Sequence, residues 1–209
     1  MHPTSEEPAS EGTPSFAHEW KPLSIFERAH WPAVFDRSAP VEIDFGCGEG
    51  AFLLQRARLL RDRNFLGTER LAGRIEKVCR AAARENAANV RLLRLESAYT
   101  AQYLVPADSV AAAHVLFPDP WPKRAHHARR LIQPAFVDAV HRALEPGGLL
   151  HLKTDDLPYF LWMQKVMKAA SGWQKLPWEN IPDYPTTNFE ARFIAQGLPI
   201  HRALYQKNV

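Results

Sequence analysis

The chain has 209 residues, 46% of them hydrophobic, and 26 Lys/Arg against 23 Asp/Glu give a formal net charge of +3. That length suits one α/β domain with a real core and excludes two full ones; no apolar run approaches the roughly 20 residues of a membrane helix. The two cysteines, Cys47 and Cys79, have a spacing that suits neither a zinc site nor a disulfide framework, so reduced thiols and no metal are expected.

Met1 to Trp20 is polar and carries Glu6, Glu7, Glu11 and Glu19 with no Lys or Arg. It lacks the basic start and apolar stretch of a signal peptide. It reads as a flexible leader (1–20) before a single domain (21–209), and the protein is expected in the cytoplasm. Without the leader's four carboxylates the remainder stands near +7, a balance that permits polyanion binding.

Along that domain, Val41 to Phe45 reads as a first strand ending in Gly46-Cys47-Gly48-Glu49-Gly50, followed by a helix from Ala51 to Leu60. Phe65 to Thr68 is a second strand closed by Glu69, and Leu71 to Asn86 is a long helix. Val90 to Leu95 is a third strand ahead of Glu96. Val110 to Leu116 is a fourth, running into a Pro-rich segment. A helix from Pro134 to Leu144 is broken by Pro146-Gly147-Gly148. A fifth strand follows from Leu149 to Lys153, then Thr154-Asp155 and a helix from about Leu157 to Ala170. Past Ser171 an irregular excursion holds Trp173, Pro177, Trp178, Pro182 and Pro185, and Leu198 to Gln206 is a last strand. Strands alternating with helices predict an α/β, Rossmann-like fold with a mostly parallel sheet and helices on both faces. Ligands bind beyond the carboxyl ends of such strands. The glycine turn, Glu69, Glu96, Asp119 and Asp155 all fall there.

The Pro-rich segment is Phe117-Pro118-Asp119-Pro120-Trp121-Pro122, followed at once by Lys123, Arg124, His126, His127, Arg129 and Arg130. Each proline fixes its own φ and pushes the preceding residue out of the helical region. The segment is therefore expected to be stiff and extended, with Phe117, Asp119 and Trp121 projecting from one side. An acid beside a flat ring suits a nucleobase, and the basic run suits its phosphates; the same basic run also reads as solvated surface. The glycines Gly46, Gly48 and Gly50 allow a tight turn and close ligand approach. The third comes one residue early for the dinucleotide fingerprint, which disfavours a nicotinamide oxidoreductase. Glu69, about 20 residues on, is placed to accept from both ribose hydroxyls, and Glu96 to meet an adenine edge. Glu42 lies in an apolar strand and needs a partner, either a cationic ligand or a nearby Arg. S-adenosylmethionine, with a ribose, an adenine and two cationic groups, fits an acidic lining of Glu42, Asp44, Glu69, Glu96 and Asp119.

These residues, with Gly67-Thr68-Glu69, His126-x-x-Arg129-Arg130, Lys153-Thr154-Asp155 and Thr187-Asn188-Phe189-Glu190-x-Arg192-Phe193, resemble the bacterial tRNA (guanine-N7)-methyltransferases from about Phe35 to Lys207. The resemblance implies a Rossmann-like methyltransferase fold with a seven-stranded sheet, S-adenosylmethionine as donor, and a variable-loop guanine of tRNA as target; either a monomer or a homodimer is expected. It implies cofactor roles for Glu42, Gly46, Gly48, Glu69, Glu96 and Asp119, and catalysis by Asp119. It implies substrate roles for Lys123, Asp155, Thr187, Asn188, Phe189 and Glu190, and RNA contacts by Arg124, His126, Arg129 and Arg130. The chain departs from the family where Glu96 replaces an Asp and where Asp44 stands at a common glycine.

Guanine N7 has a lone pair and no proton, so it needs no base to become a nucleophile. Positioning and electrostatics then carry the catalysis. Asp119 is expected to accept from guanine N1–H and the exocyclic amine, with Trp121 or Phe117 stacking on the ring. Asp155 and Glu190 act either as further acceptors or as anchors for the cations. Two other readings stand beside this one: an amino-group methyltransferase, whose Asp/Asn-Pro-Pro-aromatic motif Asp119-Pro120-Trp121 matches short of one proline, and a non-catalytic RNA-binding module on the same fold.

Overall fold

The first two strands are buried at every residue, which is how a strand covered on both faces reads. In the computed structural model, which describes residues 17–178 and 184–209, they lie at the centre of a seven-stranded sheet. The elements in chain order are α1 (Trp31–Phe35), β1 (Val41–Phe45), α2 (Ala51–Leu59), β2 (Asn64–Thr68), α3 (Ala72–Arg84) and β3 (Val90–Leu93). There follow a short α4 (Ser97–Tyr99) that widens into a π-helical turn (Thr100–Leu104), β4 (Val110–Leu116), α5 (Pro134–Ala143), β5 (Leu144–Thr154) and α6 (Leu157–Ala169). The chain then ends in β6 (Trp173–Leu176), α7 (Asn188–Ala195) and β7 (His201–Lys207). The strand order is β3-β2-β1-β4-β5-β7-β6, with the first five strands parallel and β7 antiparallel to both its neighbours. The order reverses between β1 and β4, so a crevice opens beyond their carboxyl ends.

Alternation sorts the side chains of β1. Val41, Ile43 and Phe45 enter one core with α1, α5 and α6, where Phe45 meets Phe136 edge-on at 5.4 Å between ring centroids. On the other face α2 and α3 cover β2 and β3 with Leu53, Ile75, Val78, Phe65 and Leu92. Beyond β1 that second face turns polar: Glu42, Asp44, His114, His151 and Lys153 are all buried, beneath Trp178 and Tyr184.

Three expectations need correction. The leader was expected to run to Trp20, yet His18–Trp20 lies along β3: Trp20 N donates to Leu92 O and Leu92 N to His18 O, both at 2.8 Å. This covers the open edge of the sheet, and Trp20 packs edge-on against Trp31 at 6.3 Å. Residues 1–16 of the expected leader, and Pro182, lie outside the described residues. Next, Pro146-Gly147-Gly148 does not separate α5 from its strand. β5 begins at Leu144, opposite Val110, and the register shifts before Leu149 pairs with Ala112. Gly148 makes that bulge possible, since a Cβ there would sit 2.8 Å from the Glu145 carbonyl. Finally, the stretch past Ser171 contains β6, whose Trp-Gln-Lys-Leu sequence shows no alternation because it is an edge strand with Gln174 and Lys175 exposed, and α7, whose start Thr187 caps by accepting from Glu190 N at 2.9 Å.

Candidate active site

The turn after β1 is tied to the end of β2. Gly46 N donates to the carbonyl and to Oγ1 of Thr68, each at 3.1 Å, and Cys47 N donates to the same carbonyl at 2.9 Å. Gly46, Gly48 and Gly50 all have left-handed φ, at 84°, 56° and 76°. A Cβ on Gly46 or Gly48 would meet nothing within 4 Å, so both face open space. Gly50 is different: a Cβ there would lie 2.5 Å from Val78 Cγ1. The early third glycine lets α2 start tight against α3.

The sequence candidates at the rim fall at the carboxyl ends of five adjacent parallel strands, in the lateral order Glu96, Glu69, glycine turn, Asp119, Asp155. Glu69 is half-buried; its Oε1 accepts from Arg70 N and Leu71 N at 2.7 and 3.0 Å, and its Oε2 from Arg74 at 3.1 Å. Those bonds hold the carboxylate beside the glycine turn. Glu96 is exposed, and its carboxylate turns back to cap its own helix, accepting from Tyr99 N at 2.6 Å. That bond engages one oxygen of the carboxylate in a helix cap. Asp119, Lys123 and Asp155 are exposed, as are Asn188 and Phe189, while Thr187 is half-buried in its capping role.

Glu42 does not line this rim. It is fully buried and holds Arg56 at 3.0 and 3.3 Å, Arg63 at 2.9 Å and His114 Nε2 at 3.0 Å. Burial alone would push its carboxyl up, but His114 and Arg56 outweigh that and hold it below the usual carboxylate range. Burial also pushes His114 down, so at neutral pH the ring is uncharged. It then donates from Nε2 to Glu42 and accepts at Nδ1 from the Tyr184 hydroxyl, 2.8 Å away. The expected cofactor role of Glu42 is thereby replaced by the second option, a partner Arg. Glu190, expected to touch substrate, is likewise spent inside: it is 1% exposed and accepts from Lys153 at 2.6 Å and Arg202 at 2.8 Å.

The Pro-rich segment is not extended. Phe117 and Trp121, each preceding a proline, have φ of 55° and 44°. The following proline excludes the right-handed region; here both residues take the left-handed one, at a cost of about 1–3 kcal/mol each. The two rings therefore diverge. Phe117 N donates to Lys153 O at 2.8 Å, continuing the β4–β5 ladder, and its ring faces Phe193 at 5.8 Å and Phe189 at 6.5 Å on α7. Trp121 packs edge-on against His126 at 5.8 Å, with the Arg129 guanidinium 5.0 Å over its face. Asp119 stands exposed between the two groups. Arg124 and Arg129 are exposed and His126 half-buried on the following 3-10 turn. Arg130 departs from the expected RNA contact. It is 4% exposed, donates from Nε to Pro120 O at 2.8 Å, and lies 4.8 Å over the Tyr159 ring. It fixes the loop that carries Asp119.

The residues that sequence reasoning missed are Arg56, Arg63, His114, His151, Trp178 and Tyr184, which close the polar face beside the crevice. The available signal was two histidines in otherwise apolar strands, opposite one another in register. The rim fits a cationic, ribose-bearing ligand: an open glycine turn, the Glu69 carboxylate beside it, and a buried Asp44 carboxyl that no described residue bonds.

A family model described as "Putative methyltransferase" matches residues 38–203. A tRNA (guanine-N(7)-)-methyltransferase of Nitrosococcus oceani is 36% identical over 178 residues, covering 85% of this chain and 75% of its own. One of Halorhodospira halophila is 33% identical, covering 83% and 77%. Among solved structures, a 16S rRNA methyltransferase, KamB, superposes with a TM-score of 0.60 at 18% identity, covering 86% of this chain and 93% of that one. A SAM-dependent O-methyltransferase of Thermotoga maritima does so at 0.56 and 14%, covering 86% and 63%. Both share the fold described above.

Proposed function

This chain belongs to the tRNA (guanine-N(7)-)-methyltransferases, and from that premise we propose how its residues divide the work. The enzyme transfers a methyl group from S-adenosylmethionine to N7 of a guanine in tRNA. When bound, the donor supplies a methyl group on a positively charged sulfur, open to in-line attack by a lone pair. Glu69, held beside the glycine turn by two backbone amides and Arg74, accepts from the ribose hydroxyls. Gly46 and Gly48 leave the open space the donor occupies.

Asp119 is the catalytic carboxylate. It accepts from guanine N1–H and the exocyclic amine, which turns N7 toward the glycine turn, and its charge favours the cationic product base. Its placement supports this reading: β1 and β4 are hydrogen-bonded neighbours, so the turn after one and the loop after the other open on the same crevice. Phe117 and Phe189 flank the base, and Arg124, Arg129 and Lys123 neutralise phosphates. Arg130, Lys153 and Glu190 hold these elements without touching the tRNA. No helix among the described residues is long and apolar enough to cross a membrane. A tRNA substrate supports the reading of a cytoplasmic enzyme.

The decisive experiment incubates purified protein with methyl-labelled donor and bulk tRNA, then digests the tRNA and identifies the labelled nucleoside. N7-methylguanosine is expected. Label on an exocyclic nitrogen would replace this reading with an amino-group methyltransferase, and no label at all with an RNA-binding module.

A further inference from the structure

Asp44 is the last residue but one of β1, two positions before the glycine turn begins. Alternation puts its side chain on the same face as Glu42, and it is 3% exposed. A carboxylate taken out of water needs a compensating charge or hydrogen bond, and among the described residues Asp44 has neither.

The groups around it are committed elsewhere. From β1, Glu42 is saturated by Arg56, Arg63 and His114. From α2, the Arg56 guanidinium lies against Glu42 and 5.4 Å from the centre of the Tyr184 ring. From β4, His114 is the register partner of Asp44 but spends both nitrogens on Glu42 and Tyr184. From β5, His151 stacks on His114 and is held neutral by burial, and Lys153 is bound to Glu190. The glycine turn contributes the Cys47 thiol, pushed up by burial and then by the charges of Asp44 and Glu69. The Tyr184 hydroxyl, pushed up by burial and then by Asp44, stays protonated. The other carboxylate beside the turn, Glu69, has Arg74 as its partner, and among the described residues no cation is paired with Asp44.

We propose that Asp44 is the counter-ion of the donor's positively charged sulfur, and that it lets the site hold the methyl donor more tightly than the demethylated product. The inference rests on the methyltransferase reading above. As the methyl carbon leaves sulfur for guanine N7, the bonding pair stays on sulfur as a thioether lone pair and the positive charge passes to the base. An ionised Asp44 loses its partner at that moment, which favours product release over retention. Burial holds the Asp44 carboxyl at about 7 in the empty protein, so donor binding must expel a proton below neutrality.

The test is calorimetric titration of the wild-type protein and of Asp44→Asn with S-adenosylmethionine and with S-adenosylhomocysteine, in two buffers of different ionisation enthalpy. Between about pH 6 and about pH 7.5 the wild-type affinity for the donor should rise about tenfold, with close to one proton released at the lower pH. Its affinity for the product should stay level over the same range, and Asp44→Asn should show no rise with either ligand. The wild-type proton count needs no variant and stands if the variant fails to fold. A level donor affinity in the wild type, an equal rise for donor and product, or a rise that persists in Asp44→Asn would each overturn the proposal. Absence of binding by either ligand to the wild type would instead remove the methyltransferase reading beneath it.

Discussion

The ammonium of Lys153 donates to Oε2 of Glu190 at 2.6 Å, with both side chains about 2% exposed, across 37 residues of sequence. Arg202 holds the other oxygen at 2.8 Å. One carboxylate thereby ties β5, β7 and the first turn of α7 together and sets where Phe189 stands. Removing it leaves a buried ammonium without its counter-charge. Glu190→Ala should lower unfolding free energy by about 3–5 kcal/mol, read from urea denaturation, and should raise KM for tRNA as α7 loosens. A loss under about 1 kcal/mol would mean the pair is solvated and contributes little.

Asp119 is exposed and no hydrogen bond or ion pair ties it to a described residue, so its removal should spare the fold. Asp119→Ala should lower kcat by about 10²–10³-fold or more while S-adenosylmethionine still binds measurably by calorimetry. Near-wild-type turnover would take the catalytic role from this residue.

Two adjacent arginines should behave in opposite ways. Arg129, exposed over Trp121, is expected to weaken tRNA binding when changed to Ala and to reduce the salt slope of log K by about 1. Arg130, buried against Pro120 O and Tyr159, is expected to cost about 1–3 kcal/mol of stability as Ala, to slow turnover through the Asp119 loop, and to leave the salt slope unchanged. Filter binding over a salt series, beside thermal melts, separates the two.

Stability should report Asp44 without any ligand. Burial raises its carboxyl from 3.8 to about 7. The folded state then holds the proton more tightly than the unfolded chain, so the stabilisation is complete below the ordinary carboxyl range and lost as pH rises through about 7. Asp44→Asn has no such loss. The stability of the variant relative to wild type should therefore grow from about pH 4 and level off above about pH 7, by up to about 4 kcal/mol. A difference that does not change with pH would show that Asp44 ionises normally.

Local order in the sequence fixed the strands that position the crevice. Val41–Phe45 and Val110–Leu116 lie where apolar patterning puts them, and the glycine turn, Glu69 and Asp119 follow from strand ends in a parallel sheet. Motif identity carried the family. What tertiary structure alone decided is which charges face the ligand and which face each other. Glu42, Glu190 and Arg130 read as binding residues by type and position, yet each is buried on partners 10 to 72 residues away in sequence. Ion pairing is set by distance in space, and strand alternation gives a face without saying which charge from another strand will meet it. The direction of Phe117 and Trp121 was hidden for a related reason: a proline disfavours the right-handed region for the residue before it, but whether that residue goes extended or left-handed is settled by tertiary contacts, the β4–β5 ladder and α7 for Phe117 and the packing on His126 and Arg129 for Trp121.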